Sequence, residues 1–263
     1  MASATGLPQR PPTHDAIVAS EAEPLLGKPG DAILHAGTSI MKSFAIGTAI
    51  LAQLGIIILC ADIWAHVFSN PLILFSGHPI AMSIAVFTLT QSVLVQQPIS
   101  SETPQKKRLG QHIHAALNLF AFSAIVTGVT IIEVSKFRSH GPHFHSTHAF
   151  LGAFTLLVLV AQYVVGFTMW VTPRLYGGEE RAKSFYKYHR YVGYFILVML
   201  LVTVGSATET DYVQSVLGIS ISTAATACAL VIIGVFPRIQ KQKMGFGQSR
   251  PRRPVPDADG TTS

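Results

Sequence analysis

Six stretches of the sequence run almost free of charge, separated by short polar segments rich in Gly, Pro and Ser. Each is long enough to cross a hydrocarbon layer of ~30 Å as a helix rising 1.5 Å per residue. The pattern predicts spans from Phe44 to Val67, Pro71 to Gln97, Leu109 to Ile132, Thr147 to Val171, Tyr191 to Thr208 and Tyr212 to Phe236. The flanks are polar, so residues 1–39 and 239–263 are expected to be disordered tails around one transmembrane domain, residues 40–238. The first thirty residues lack an apolar stretch, so no cleavable signal is expected and the first span should act as its own.

Composition supports this reading. Hydrophobic residues make up 49% of the chain and charged residues only 12%, against about 25% charged in soluble domains. The two cysteines, Cys60 and Cys228, cannot form a disulfide framework and are expected to pack. The net charge of +6 would suggest nucleic acid in a soluble protein. In a membrane protein its placement matters more, and no nucleic-acid partner is expected. With six spans, 17 Lys and Arg fall on one side and only Lys136 and Arg138 on the other. This asymmetry predicts that both termini are cytoplasmic.

Ionisable groups at membrane depth are costly and usually functional. His78, His114, His148 and His189 lie near the starts of predicted spans two to five. Even spans run inward and odd ones outward, so topology puts His78 and His148 near the outer face and His114 and His189 near the inner one. Histidine pairs across a four-helix frame commonly hold a six-coordinate haem. Gly152 and Gly193 each follow a histidine by four residues, sharing its helix face, and were expected to clear space beside a flat macrocycle. His112 sits about 200° around the helix from His114, so the two cannot face one group, and the deeper His114 is preferred. His66 falls at the outer end of the first span and is not expected to be a ligand. The expected fold class is therefore an all-α membrane protein of six transmembrane helices, with helices 2–5 forming a central four-helix bundle that holds two haems.

The segments GHPIAM (Gly77–Met82), HAALN (His114–Asn118), STHAFLG (Ser146–Gly152) and YHRYVG (Tyr188–Gly193) resemble the eukaryotic cytochrome b561 family. These are transmembrane oxidoreductases with two b-type haems and ascorbate as electron donor. The resemblance implies an outer haem on His78 and His148 and an inner haem on His114 and His189. It also implies cytoplasmic ascorbate as donor, a ferric chelate or monodehydroascorbate as outer acceptor, and a homodimer. One departure is clear: the basic and aromatic segment of the ascorbate-specific members is not recognisable around the first two spans.

Two basic clusters, Lys106, Lys107, Arg108 and Arg181, Lys183, Lys187, precede the inner histidines and could draw an anionic donor. Outside, Arg138, His140, His143 and His145 form a dense imidazole loop that could dock a ferric chelate. Glu21, Glu23, Leu25 and Leu26 fit an acidic dileucine signal, which points to a vacuolar, lysosomal or endosomal membrane. The competing reading is a histidine-lined divalent-metal transporter. It predicts ligands and carboxylates converging at mid-membrane, whereas the acids Asp62 and Glu133 lie near outer helix ends.

Overall fold

The computed structural model of the protein describes residues 34, 37–99, 104–240 and 244. The dileucine segment and nearly all of both expected tails lie outside these residues. The described residues are helical, with no strand among them. Six long helices follow in order: α1 Ala49–Phe68, α2 Gly77–Gln96, α3 Pro104–Ser139, α4 Thr147–Val171, α5 Glu179–Ala207 and α6 Ile221–Val235. All six elements are long and apolar enough to cross a membrane, the last when counted through Arg238. The protein is an all-α, multi-pass membrane protein.

Local chemistry explains where the helices depart from the apolar pattern. Helix α3 begins five residues before the predicted span, at Pro104, a residue well suited to a first helical turn. Helix α5 begins twelve residues early, at Glu179. Acidic Glu179 and Glu180 complement the helix N-terminus, and Lys183 pairs with them at 3.3 and 2.8 Å. The basic clusters thus ride on the first turns of α3 and α5 rather than on loops. The sixth apolar segment is broken: a π-helical turn over Val213–Leu217 ends at Gly218, whose φ of 71° is left-handed, before α6 restarts.

Helix α2 packs on α3, α4 on α5, and α1 on α6, with α1 also against α2. The α1–α6 seam is close because glycine lines it. A Cβ on Gly55 would fall 2.5 Å from the Ala227 carbonyl oxygen, and one on Gly234 would collide with Ala52. Across the central bundle, α2 and α4 are not closely packed backbone to backbone, and neither are α3 and α5. Those are the helix pairs that carry the facing histidines.

Candidate functional site: two histidine pairs at two depths

His78 and His148 are each the second residue of their helix, α2 and α4, at one end of the bundle. His114 and His189 are each the eleventh residue of α3 and α5, which run the opposite way. The rings face each other in the predicted pairs. The centres of His78 and His148 are 6.3 Å apart with planes at 86°; those of His114 and His189 are 6.5 Å apart at 77°.

Each helix also serves the other level. His78 Nδ1 donates to the Gly128 carbonyl on α3 at 2.9 Å. His114 on α3 returns to α2, its Nδ1 lying 3.0 Å from the Ser92 carbonyl and 2.7 Å from its Oγ. Asn118 braces this contact, its Nδ2 donating to Ser92 Oγ at 2.6 Å and to the His114 carbonyl at 2.7 Å. His148 Nδ1 donates to the Thr203 carbonyl on α5 at 2.8 Å. Gln162 on α4 donates to the His189 backbone carbonyl at 2.6 Å. In all four helices the histidine and the group serving the opposite level are 14 residues apart: 78 and 92, 114 and 128, 148 and 162, 189 and 203. Fourteen residues make nearly four turns and ~21 Å of rise, so both contacts fall on one helix face. The bundle is thus two reciprocal hairpins, α2–α3 and α4–α5, facing each other.

This geometry fits haem. Imidazoles on opposite faces of one iron, bonded at about 2 Å, hold their ring centres roughly 6 Å apart, as both pairs do. A proton on Nδ1 shared with a carbonyl leaves Nε2 as the free, metal-facing nitrogen. That tautomer is set for His78, His114 and His148. His189 differs: its Nδ1 is buried without a hydrogen-bond partner, and its ring lies against Gly166, where a Cβ would sit 2.8 Å from Cε1. Among the described residues no group of three or more His, Cys, Asp or Glu is placed to cage a bare ion.

Other predicted residues are placed as follows. His112 is exposed and stacks edge-on to Trp170 at 5.8 Å, away from the inner pair. His66 pairs with Asp62 at 3.4 Å near the C-terminal end of α1. A Cβ on Gly152 would meet Thr203 at 3.7 Å and one on Gly193 would meet Gln162 at 3.4 Å, ordinary contacts with the adjoining helix beside the groups that support the histidines. Gly166, not singled out from the sequence, is a glycine whose missing side chain leaves room for a histidine ring, that of His189.

At the His114–His189 end of the bundle, Lys107, Arg108 and Arg181 are exposed and Lys106 is partly so. Lys183 is neutralised by Glu179 and Glu180, and Lys187 Nζ sits 4.9 Å over the Tyr188 ring. At the His78–His148 end, Arg138 and His143 line an open pocket of about 320 Å³ with Glu133, Val134 and Phe137. His143 Nδ1 is 3.1 Å from Glu133 Oε2. His145 Nδ1 is 3.1 Å from the Pro142 carbonyl. His140 and Phe144 have left-handed φ of 50° and 51°, uncommon for residues other than glycine, and this folds the loop back on itself.

Six helices long and apolar enough to span a membrane, four of them bringing two histidine pairs face to face at two levels, define a membrane protein of the haem-holding four-helix type. The family profile for eukaryotic cytochrome b561 matches residues 77–214, and the chain belongs to that haem-binding family. Among curated relatives, it is 27% identical over 108 residues to the lysosomal membrane ascorbate-dependent ferrireductase CYB561A3 of Mus musculus, covering 40% of this chain and 44% of that protein. It is 34% identical over 125 residues to the probable transmembrane reductase CYB561D1 of Mus musculus, 46% of this chain and 53% of the relative. It is 26% identical over 131 residues to the transmembrane ascorbate-dependent reductase CYB561 of Bos taurus, 49% of this chain and 50% of the relative. The matched part spans about half the length of these relatives.

Proposed function

We propose that the protein is a transmembrane oxidoreductase that moves electrons from cytoplasmic ascorbate to a ferric chelate or monodehydroascorbate on the opposite side. One observation carries this reading: two histidine pairs with haem-like spacing, one near each end of a four-helix bundle. His114 with His189, and His78 with His148, would each hold a haem b, which would supply a one-electron centre near each membrane face.

The chain's own residues have distinct tasks. Carbonyls of Gly128, Ser92 and Thr203 hold three imidazoles in the ligating tautomer and raise their basicity. The reciprocal hairpins fix the two levels ~21 Å apart along each helix, so groups held at both levels would divide the crossing of the layer between them. Lys106, Lys107, Arg108 and Arg181 concentrate an anionic donor at the inner mouth. Lys183 contributes little to that field because its carboxylate partners cancel it, and Lys187 is engaged with Tyr188. At the outer face the pocket beside Arg138 and His143 offers a cation and an imidazole to an anionic chelate, with His140 and His145 on the same loop. The 17-to-2 charge asymmetry supports cytoplasmic termini. The dileucine segment and the lysosomal name of one group of relatives favour an endomembrane.

The test is a visible spectrum with haem quantification on purified protein. Two haem b per chain, reduced by ascorbate and reoxidised by chelated ferric iron, is the expected result. A colourless protein binding divalent metal in its place would support the transporter and end this reading.

A further inference from the structure

Arg238 ends the short 3-10 turn Phe236–Arg238 that follows α6, and only 2% of its surface is exposed. Its Nη2 donates to the backbone carbonyl of Ser43 at 2.8 Å. Its Nε and Nη1 have no hydrogen-bond partner, and neither does the fully buried Oγ of Ser43. Among the described residues no carboxylate forms an ion pair with it. A buried, unpaired cation is strongly disfavoured at a membrane protein's core. The carbonyl end of α6 offsets only part of that cost.

The cation lies at the same end of the bundle as the inner histidine pair and is linked to that level through Gln97 and Tyr194. Gln97, just past α2, donates to the Val235 carbonyl at 2.9 Å and to the Tyr194 hydroxyl at 3.3 Å, and Arg238 is within electrostatic reach of Tyr194. Tyr194 lies five residues beyond His189, and Gln97 five beyond Ser92, the residue that anchors His114. Each step is about 7–8 Å along its helix axis, Gln97 lying beyond the inner level and the Tyr194 backbone between the two levels because α2 and α5 run antiparallel. The outer pair lies ~21 Å from the inner level along these helices.

We infer that Arg238 is a fixed positive charge that raises the reduction potential of the inner haem relative to the outer one. The inference rests on the haem assignment proposed above. Taking up one electron turns ferric into ferrous iron and lowers the charge of the centre by one. A nearby cation in a low-dielectric interior favours that state, and the effect falls with distance. The charge is buried because water would screen it.

The test is a spectroelectrochemical titration of the full chain in His148→Ala and His189→Ala backgrounds, which isolate the inner and the outer haem. Arg238→Gln should lower the inner haem's ratio of reduced to oxidised form several-fold at fixed poise, tenfold being about 59 mV for one electron. The outer haem should stay within the error of measurement. Arg238→Lys keeps the charge and should restore most of the inner potential. Ser43→Asp leaves Arg238 in place but supplies a counter-charge, and it should reproduce the downward shift even if the Gln variant does not accumulate. An unchanged inner potential, equal shifts in both haems, or Lys behaving like Gln would overturn the inference. A wild-type protein without haem would instead overturn the haem assignment.

Discussion

His189 is the exception among four otherwise matched histidines. The other three hand their Nδ1 protons to backbone carbonyls, whereas its Nδ1 has no partner. Its position is set instead by contact with Gly166 and by Gln162 on its carbonyl. Gly166→Val should therefore expel or tilt that ring, because even a Cβ would come within 2.8 Å of it. The expected result is loss of about one haem per chain, the inner one, with the outer spectrum intact. Retention of both haems would show that the ring can shift without loss. The ligands themselves separate by pair: His78→Ala or His148→Ala should remove the outer haem, and His114→Ala or His189→Ala the inner. His112→Ala and His66→Ala should keep both, as haem-to-protein ratios will show. These four histidines were legible in the sequence because an imidazole at membrane depth is rare and costly. Their supports were not. Gly128 and Thr203 contribute only main-chain carbonyls, which every residue has, so residue identity carries no trace of them. Only the spacing of 14 betrays the supports, and it gains meaning once the hairpins are known to be antiparallel.

At the scale of elements, hydropathy placed α4 to the residue and the start of α5 twelve residues late. The difference is physical. Apolar runs report the hydrocarbon-facing length, while α3 and α5 continue into the headgroup zone as charged helix, held by Pro104 and by the Glu179, Glu180 and Lys183 pairs. The break before α6 was hidden for the opposite reason: Gly218 and Ser220 lie in a run that stays apolar on average. Helices α1 and α6 carry neither histidine pair and form a buttress whose closeness depends on Gly55 and Gly234. Gly234→Leu should overpack that seam at a cost of about 1–3 kcal/mol, lowering the midpoint of thermal unfolding in detergent. The folded fraction should still hold its full haem complement, since no histidine pair touches the seam. Proportional loss of haem from folded protein would mean that the buttress also shapes the central bundle.

On the scale of the whole molecule, function needs a direction as well as a path. The histidine pairs are nearly symmetric, related by the two reciprocal hairpins, so with haem held as proposed they would supply a path without a preferred sense. Asymmetry comes from charge. Lys106, Lys107, Arg108 and Arg181 crowd the inner end, whereas the outer loop offers Arg138 beside imidazoles and Glu133. Coulomb attraction raises the local concentration of an anionic donor at the inner mouth, and salt weakens it over a screening length of ~10 Å at 0.1 M. Sealed vesicles of known orientation, with ascorbate confined to one side, test this directly. Haem reduction should be fast from the cytoplasmic face and slower from the other. Neutralising Lys106, Lys107 and Arg108 together should slow the fast side several-fold at low salt and much less at high salt, with little change on the slow side. The triple variant leaves every histidine and every ligand support untouched, so its haem spectrum should match the wild type. Equal rates from both faces, or a triple variant as fast as the wild type at low salt, would sink the inner donor site, and the sense of electron flow would then have to come from the haem potentials alone.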